Sequence, residues 1–290
     1  MGKALVLGGG GPVGIAWESG LIAGLAESGA DLSSADFILG TSAGSLVGAQ
    51  LALGRSPAEI AAPDLAGAVP VPPASGGPPD LTMLITKMLE AASGKRPAEE
   101  VRAEIGAWAL NTPAMTEEDF VARFAPSLGA DSDGPWPTKS YACTSVDAAD
   151  GSFKVWNQDA GIGLARAVAS SCAVPGIFPP ISFRGHRYID GGMRSPTNAD
   201  LAGSYEIVVV VAVTLRSMPS LITEVFSRRF EAELQALRHG GARVEVIVPD
   251  EESCTAFGIN LMDASRRQAS AQAGLRQGRI EAARVAGTWL

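Results

Sequence analysis

The segment that decides the fold reads Phe37-Ile38-Leu39-Gly40-Thr41-Ser42-Ala43-Gly44-Ser45-Leu46-Val47-Gly48-Ala49-Gln50-Leu51. The apolar run before Gly40 predicts a strand, and the run after Gly44 predicts a helix. The five residues between them follow the pattern G-x-S-x-G, in which a sharp turn presents the serine hydroxyl away from the backbone. The following helix directs its first N–H groups toward the same point. The segment therefore predicts Ser42 as a nucleophile; the alternative is a tight turn whose serine caps the helix.

The composition limits the possible functions. With 290 residues, 46% of them hydrophobic and 19% charged, the chain can bury a large core as one α/β domain or two small ones. The net charge of −8 and the pI near 4.9 argue against nucleic acid as a partner, because binding phosphate needs a basic surface. Cys143, Cys172 and Cys254 are widely spaced, which indicates neither a disulfide framework nor a metal site.

The first 55 residues alternate strand and helix patterns. Lys3–Leu7 predicts a buried strand, residues 15–28 a helix, residues 36–39 a second strand, and the serine turn leads into a second helix. This order predicts a mostly parallel central sheet with helices on both faces.

The composition of the sequence changes between residues 56 and 137. Proline and glycine crowd residues 69–79, while helices are predicted at 80–92, 97–110 and 116–124. We interpret 56–137 as a helical insertion within a single domain spanning 1–290. Its apolar face, formed by Met83, Leu84, Met88 and Leu89, suggests a cap over the site, with simple core packing as the alternative.

The second half of the chain returns to strands. Two hairpins are predicted, one from residues 140–146 and 152–156, the other from 181–183 and 187–189. A buried strand at 206–215, a helix at 220–238, a strand at 243–248 and a C-terminal helical extension at 253–290 follow. The longest apolar run is too short to cross a bilayer, which takes about 20 residues, and no signal peptide is recognised. We therefore expect a cytoplasmic protein.

A second glycine-rich segment, Gly8 to Gly14, admits two interpretations. Gly9-x-Gly11-x-x-Gly14 between a strand and a helix satisfies the dinucleotide fingerprint. That fingerprint needs an acidic residue at the end of the second strand, where Gly40 stands instead. The alternative is an anion-binding cradle of backbone N–H groups, placed beside Ser42 at the carboxyl ends of parallel strands.

Ser42 needs a base, and the chain has only two histidines. His239 precedes the last strand, which places it at the opposite edge of a parallel sheet. His186 is four residues before Asp190, about 13 Å away in an extended strand. Asp190 is the better candidate, because it ends a strand on the expected rim and is followed by Gly191 and Gly192. Its site should be partly desolvated, since an ordinary aspartate is a poor base; the alternative is a turn-forming Asp-Gly.

Taken in order, Gly9-Gly10-Gly11, Gly40-Thr41-Ser42-Ala43-Gly44 and Asp190-Gly191-Gly192 resemble the motifs of the patatin-like phospholipases. The segment from Ala169 to Pro180 is also similar to the one that this family places before its aspartate. The resemblance covers residues 3–54 and about 140–215.

The resemblance implies a three-layer α/β sandwich and a Ser42–Asp190 dyad that works without histidine, metal or cofactor. It also implies an oxyanion hole formed by the N–H groups of Gly9, Gly10, Gly11 and Ala43. The remaining motif glycines would support the turns that carry these groups; they are Gly14, Gly40, Gly44, Gly191 and Gly192. The expected substrate is a lipid or other acyl ester.

One departure from the family concerns the substrate. Val13 stands where the family usually carries Arg or Lys, which puts phospholipid specificity in doubt. A thioesterase, a transacylase and a non-catalytic acyl-chain binder are the alternatives. The last helix carries five arginines that could touch an anionic membrane, although a solvated face is the simpler interpretation. The sequence leaves the oligomeric state open.

Overall fold

The computed structural model describes residues 2–70, 81–112, 115–129, 134, 136–213 and 220–290. Most of the proline- and glycine-rich stretch at 69–79 therefore lies outside the described residues. The strands are β1 (Lys3–Leu7), β2 (Phe37–Gly40), β3 (Ser140–Asp147), β4 (Phe153–Trp156), β5 (Ile181–Phe183), β6 (His186–Asp190), β7 (Ile207–Val211) and β8 (Arg243–Ile247). The helices are α1 (Gly11–Glu27), α2 (Ala43–Ala52), α3 (Pro57–Leu65), α4 (Thr82–Ala92), α5 (Ala98–Asn111), α6 (Glu117–Ala122), α7 (Ala125–Leu128), α8 (Leu164–Ser171), α9 (Ser220–His239), α10 (Glu251–Phe257) and α11 (Arg267–Trp289).

The eight strands of the described residues form one sheet in the order β5-β6-β3-β2-β1-β7-β8, with β4 also paired to β3. The central pairs β3–β2, β2–β1, β1–β7 and β7–β8 are parallel. The two predicted hairpins, β3–β4 and β5–β6, are confirmed. Both hairpins and the β3–β6 pair are antiparallel, so the sheet is antiparallel at the end that carries β5. The fold is therefore the expected α/β architecture with a mostly parallel centre.

Helices cover both faces of the sheet. Along β1, Leu5 and Leu7 pack into one apolar cluster with residues of α1, α2, α8 and α11, while Ala4 and Val6 pack into another with α9. This alternation follows from the two-residue period of a strand. Because both faces are buried, β1 and β7 are almost continuously apolar.

Within the described residues, the predicted insertion at 56–137 contains α3 to α7, and its helices join the core. Leu84 of α4 is buried against Ile105 of α5 and against Val146 and Ile189 of the sheet, so core packing accounts for at least this residue. Thr116 caps α6 as expected, accepting a hydrogen bond from Asp119 N–H. The sequence interpretation missed α3, which has a full capping box between Ser56 and Glu59.

The C-terminal helix α11 packs closely on α1. At Gly20, Gly24, Gly274 and Gly278 an added Cβ would lie 2.1–2.3 Å from a backbone carbonyl of the opposite helix. Backbones can come this close only where side chains are absent, so α11 lies directly on α1 along a glycine seam. Gly274 faces the carbonyl of Trp17, inside the helix that begins at the glycine loop.

The arginines of the C-terminal segment are ion-paired, so their proposed contact with an anionic membrane receives no support. The pairs are Arg266–Asp263, Arg267–Asp64, Arg276–Asp250, Arg276–Glu252, Arg279–Glu27, Arg284–Glu245 and Arg284–Glu281. Within the described residues, no helix is long and apolar enough to cross a membrane.

Candidate active site

Ser42 lies in the sharp turn between β2 and α2 and has a strained backbone. Its φ of 52° and ψ of −118° are rarely adopted by a residue with a side chain. Bonds to the Ser42 main chain hold the turn: Ser42 N–H donates to Ser171 Oγ (3.0 Å), and the Ser42 carbonyl accepts from Ser45 N–H (2.9 Å), Ser45 Oγ (2.6 Å) and Cys172 Sγ (3.1 Å). Several contacts thus fix the Ser42 backbone, which is the condition for keeping such strain.

The flanking glycines are required by close backbone approach. A Cβ on Gly40 would lie 2.4 Å from Ser45 Cα, and one on Gly44 would lie 2.2 Å from the Leu7 carbonyl oxygen. Gly44 N–H also donates to the Gly8 carbonyl (2.9 Å), and Thr41 N–H to the Leu7 carbonyl (3.0 Å). The serine turn is therefore bonded directly to the segment that starts the glycine loop.

The glycine loop lies beside the nucleophile. A Cβ built on Gly9 would be 3.3 Å from Ser42 Cβ and 3.9 Å from Ser42 Oγ. The structure corrects one expectation here: Gly9 N–H donates to the Pro196 carbonyl (2.8 Å) and is not free to bind an oxyanion. The N–H groups of Gly10, Gly11 and Ala43 have no acceptor among the described residues. These three can serve as an oxyanion hole.

The position of Gly14 requires a glycine less strictly than the motif suggests. Its N–H donates to the Gly10 carbonyl (2.8 Å), closing the first turn of α1. A Cβ there would lie 3.4 Å from Val213 Cγ1 and 3.5 Å from Ala43 Cβ, which is ordinary contact. The dinucleotide interpretation finds no acid at the end of β2, since Asp36 lies at its start and binds Lys3 N–H (2.8 Å).

Asp190 reaches Ser42 by a different route from the one that the sequence suggested. β6 is antiparallel to β3, so its carboxyl end does not share the rim of the parallel strands. The register explains the meeting: Gly40 pairs with Cys143, and Asp190 pairs with Ser145, two residues further along β3. Because β3 runs beyond the end of β2, the two turns leave the sheet next to each other.

The environment of Asp190 suits a general base. The residue is 2% exposed, and burial raises the pKa of its carboxyl to about 7. The Ser42 side chain and the Gly192 N–H, which donates to Oδ1 at 2.7 Å, stabilise the carboxylate and oppose this rise. Gly191 must be glycine, since its Cβ would lie 2.2 Å from Thr144 Oγ1, and a Cβ on Gly192 would press on Asp190 Oδ1 at 2.9 Å.

Asn198 joins the two turns, and the sequence interpretation did not assign it a role. Its Nδ2 lies within hydrogen-bond distance of Thr41 Oγ1 (3.1 Å), Thr144 Oγ1 (3.3 Å) and the carbonyls of Gly191 (3.3 Å) and Ser195 (2.8 Å). Thr41 and Gly191 are the immediate neighbours of Ser42 and Asp190. Asn198 is fully buried and left-handed, with a φ of 51°, a conformation that asparagine tolerates better than most residues. The only sequence signal was the polar run Ser195-Pro196-Thr197-Asn198 after the aspartate.

The histidines take no part in this arrangement. His186 Nδ1 lies 2.7 Å from Asp147 Oδ2 at the start of β6, and its side chain is 57% exposed. His239 ends α9 and precedes β8, whose parallel pairing with β7 places it at the opposite end of the sheet. Both positions agree with the expectation from the sequence.

Val13 contributes no polar group to the site. It is fully buried in the main apolar cluster, and its N–H donates to the Leu261 carbonyl at 3.2 Å. Where the related motif carries a cation, this chain therefore has core packing and a backbone bond to the segment between α10 and α11.

Glu18 is a buried acid that no motif predicted. It is fully buried on α1, one turn after Gly14, and neither carboxyl oxygen has a partner among the described residues. Burial raises the pKa of the Glu18 carboxyl well above its ordinary value. Glu18 is therefore a buried acid behind the glycine loop whose environment disfavours the charged form.

Comparison with known proteins agrees with these motifs. The family model described as patatin-like phospholipase matches residues 5–202. No curated protein matched the sequence closely enough to count as a relative.

Solved structures give weaker matches. The structure of VipD from Legionella pneumophila is 15% identical with a TM-score of 0.45, covering 99% of this chain and 67% of that one. The type III effector protein ExoU is 20% identical with a TM-score of 0.39, covering 97% and 54%. ExoU in its complex with SpcU from Pseudomonas aeruginosa is 17% identical with a TM-score of 0.36, covering 96% and 52%, so this chain spans about half the length of the ExoU structures. On the family match over residues 5–202, the chain belongs to the patatin-like phospholipase family.

Proposed function

We propose that this protein is a serine acyl hydrolase that cleaves lipid acyl esters through Ser42 and Asp190. The observation that supports this best is the meeting of a strained serine with a buried carboxyl of raised pKa, both held against β3. Family membership supports lipid hydrolysis in general. The dyad supplies the two groups that such a reaction needs, a nucleophile and a base.

In the first half-reaction, Ser42 Oγ bonds to the acyl carbonyl carbon while its proton passes to the Asp190 carboxylate. The proton transfer requires a direct Ser42–Asp190 hydrogen bond, which catalytic pairs often complete only in the substrate complex. The carbonyl oxygen becomes an oxyanion, bound by the N–H groups of Gly10, Gly11 and Ala43. The carbon–oxygen bond to the leaving alcohol then breaks, and the alcohol takes the proton from Asp190.

In the second half-reaction, water attacks the acyl-enzyme and Asp190 takes its proton. The bond to Ser42 Oγ breaks, Ser42 recovers a proton from Asp190, and the fatty acid leaves. A pKa of about 7 suits both roles of Asp190, because the carboxyl can accept and return a proton near neutral pH.

An apolar surface beside Asp190 suits the acyl chain. Val174 and Met193 flank the aspartate and are partly buried against Val146 and Ile189. Trp108 of the insertion packs over this surface: a Cβ on Gly176 would lie 2.2 Å from its ring. The insertion thus borders the proposed acyl site, as the predicted cap would.

Kinetics of two variants test the dyad. Ser42→Ala and Asp190→Asn should each lower kcat for a p-nitrophenyl acyl ester about a thousandfold or more, as is typical when a triad member is removed. Ser93→Ala and Asp150→Asn change the same residue types at exposed positions and serve as matched controls. Unchanged circular dichroism spectra would show that the variants fold.

Near-normal turnover in either dyad variant would refute the proposal. Failure of a fluorophosphonate probe to label Ser42 in active enzyme would count against a serine nucleophile. A product assay with an added alcohol separates a hydrolase from a transacylase, and bound fatty acid without turnover of any ester or thioester would indicate a binding protein.

A further inference from the structure

The loop between α10 and α11, residues 258–263, carries the most exposed large apolar side chain of the described residues. Ile259 at its tip is 103% exposed, meaning that it is as open as in an unfolded peptide. The loop is nonetheless ordered by short-range bonds: Asn260 Oδ1 accepts from Met262 N–H (3.0 Å), and the Asn260 carbonyl accepts from Asp263 N–H (3.0 Å). Before it, Phe257 is fully buried edge-on against Trp17, with 5.9 Å between ring centroids.

This tip loop (residues 258–263) is in direct contact with the glycine loop. The Leu261 carbonyl accepts from Val13 N–H at 3.2 Å. The Leu261 carbonyl oxygen and Met262 Sδ lie 2.8 and 2.9 Å from the place where a Cβ on Gly11 would be. Gly11 is one of the proposed oxyanion donors, so the exposed isoleucine projects from a segment that packs on the catalytic rim.

We propose that the tip loop is a lipid-surface contact, with Ile259 as the side chain that inserts into a membrane of electrically neutral lipids. The proposal rests on the proposed function, because a lipid hydrolase must bring its rim to an aggregated substrate. A lone isoleucine at a convex tip suits a lipid layer, which closes around a projecting side chain. It suits a second copy of the chain poorly, since a stable protein interface needs about 1,000 Å² or more of complementary surface.

The charges around the tip loop select the kind of lipid. Glu251 and Glu252 are exposed on α10, and Asp263 closes the loop. Among the described residues, Arg266 is paired with Asp263, and Arg276 with Asp250 and Glu252. With a net charge of −8 for the whole chain, the rim gains nothing from anionic head groups. Binding through Ile259 should therefore favour zwitterionic vesicles and depend little on salt.

A vesicle sedimentation assay tests the contact separately from catalysis. In a Ser42→Ala background, which binds lipid without consuming it, the protein should co-sediment with phosphatidylcholine vesicles. Ile259→Asp should lower the partition coefficient about tenfold. Ile280→Asp is the matched control, because Ile280 is also exposed, at 67%, but lies 13 residues into α11, about 20 Å along that helix from Arg267.

Activity assays give a second, independent measurement. In the wild-type background, Ile259→Asp should lower turnover of phosphatidylcholine vesicles severalfold and leave turnover of a short, water-soluble p-nitrophenyl ester unchanged. The two proposals can fail separately. Soluble-ester turnover that survives in Ser42→Ala would refute the proposed function. Vesicle turnover that is unchanged in Ile259→Asp would refute the lipid contact alone.

Three results would overturn the lipid contact. One is equal vesicle binding by Ile259→Asp and the parent, and another is an equal loss of binding in Ile280→Asp. The third is concentration-dependent self-association in analytical ultracentrifugation that Ile259→Asp abolishes, which would assign the tip loop to a contact between copies.

Discussion

The buried carboxyl of Asp190 makes a prediction about pH at the residue scale. The base must be ionised to accept the Ser42 proton, and its pKa is raised to about 7 by burial. We therefore expect kcat/KM to rise with pH and to reach half its plateau near pH 7. The measurement is the pH profile for a short p-nitrophenyl ester between pH 5 and 9, corrected with Ser42→Ala as the blank. A midpoint near 4, the value of an exposed aspartate, would contradict the desolvated site.

Glu18 makes an independent prediction about stability. Its folded pKa is raised, so the folded state holds a proton that the unfolded chain releases above about pH 4.5. The stabilising contribution of the proton is complete below that pH and is lost as the pH rises through the folded pKa. Glu18→Gln cannot ionise and removes this loss. The free energy of unfolding of Glu18→Gln should therefore increase relative to that of the parent as the pH rises.

Urea denaturation of both proteins at pH 5, 7 and 9 checks this expectation. The difference between the two proteins isolates Glu18 from other groups, including Asp190, whose raised pKa acts in the same direction. If the difference in free energy of unfolding between the two proteins were the same at all three pH values, Glu18 would titrate normally. That result would contradict a buried carboxyl without a hydrogen-bond partner.

At the scale of elements, the sequence predicted the strands, the hairpins and the serine turn, because these rest on local patterns. It expected Asp190 near Ser42, but for the wrong reason. Rim membership was inferred from parallel strands, whereas β6 is antiparallel and meets the serine turn through the register of β3. Register between distant strands depends on tertiary packing, which no local pattern encodes.

The sequence interpretation also could not find Asn198 as the link between the turns. Its partners Thr41 and Thr144 lie 157 and 54 residues away along the chain, and only the folded sheet brings them together. Similarly, Gly9 was expected to donate to an oxyanion, but the chain returns after Asp190 and places the Pro196 carbonyl on its N–H. Both cases depend on contacts that long loops make after folding.

Asn198 makes the prediction at this scale. Asn198→Asp keeps a residue type that tolerates the left-handed backbone, but it replaces the Nδ2 donors with an acceptor. The two turns should separate, and kcat should fall about tenfold to a hundredfold with a much smaller change in KM, because small misplacement of reacting groups is costly. Steady-state kinetics on a soluble ester measures both parameters.

Asn157→Asp is the matched control, since this asparagine caps an exposed turn through its Oδ1, which aspartate also provides. A kcat within twofold of the parent in Asn198→Asp would show that the turns are held without it. A higher KM and a lower thermal stability, without the fall in kcat, would indicate a merely structural role.

At the scale of the whole molecule, α11 ties the end of the chain to the helix that begins at the glycine loop. Gly274 faces the Trp17 carbonyl, and an added Cβ would come within 2.2 Å of it. Gly274→Ala should therefore force the two helices apart and destabilise the protein by about 1–3 kcal/mol, as overpacking typically does. Gly287→Ala lies on the same helix with nothing within 4 Å and should be neutral or stabilising by up to about 1 kcal/mol.

Urea denaturation measures both variants against the parent. If Gly274→Ala were as stable as Gly287→Ala, the close packing of α1 and α11 would be wrong. Glycines in a helix usually weaken it, whereas along this seam they form the contact surface between the two helices.

The formation of an acyl-enzyme on Ser42 tests the whole account most directly. Mass spectrometry of the protein quenched during turnover of a p-nitrophenyl acyl ester should show the added mass of one acyl group on the peptide that contains Ser42. The adduct should be absent from Ser42→Ala. Turnover by Ser42→Ala, or an acyl group on any other residue of the active enzyme, would contradict it.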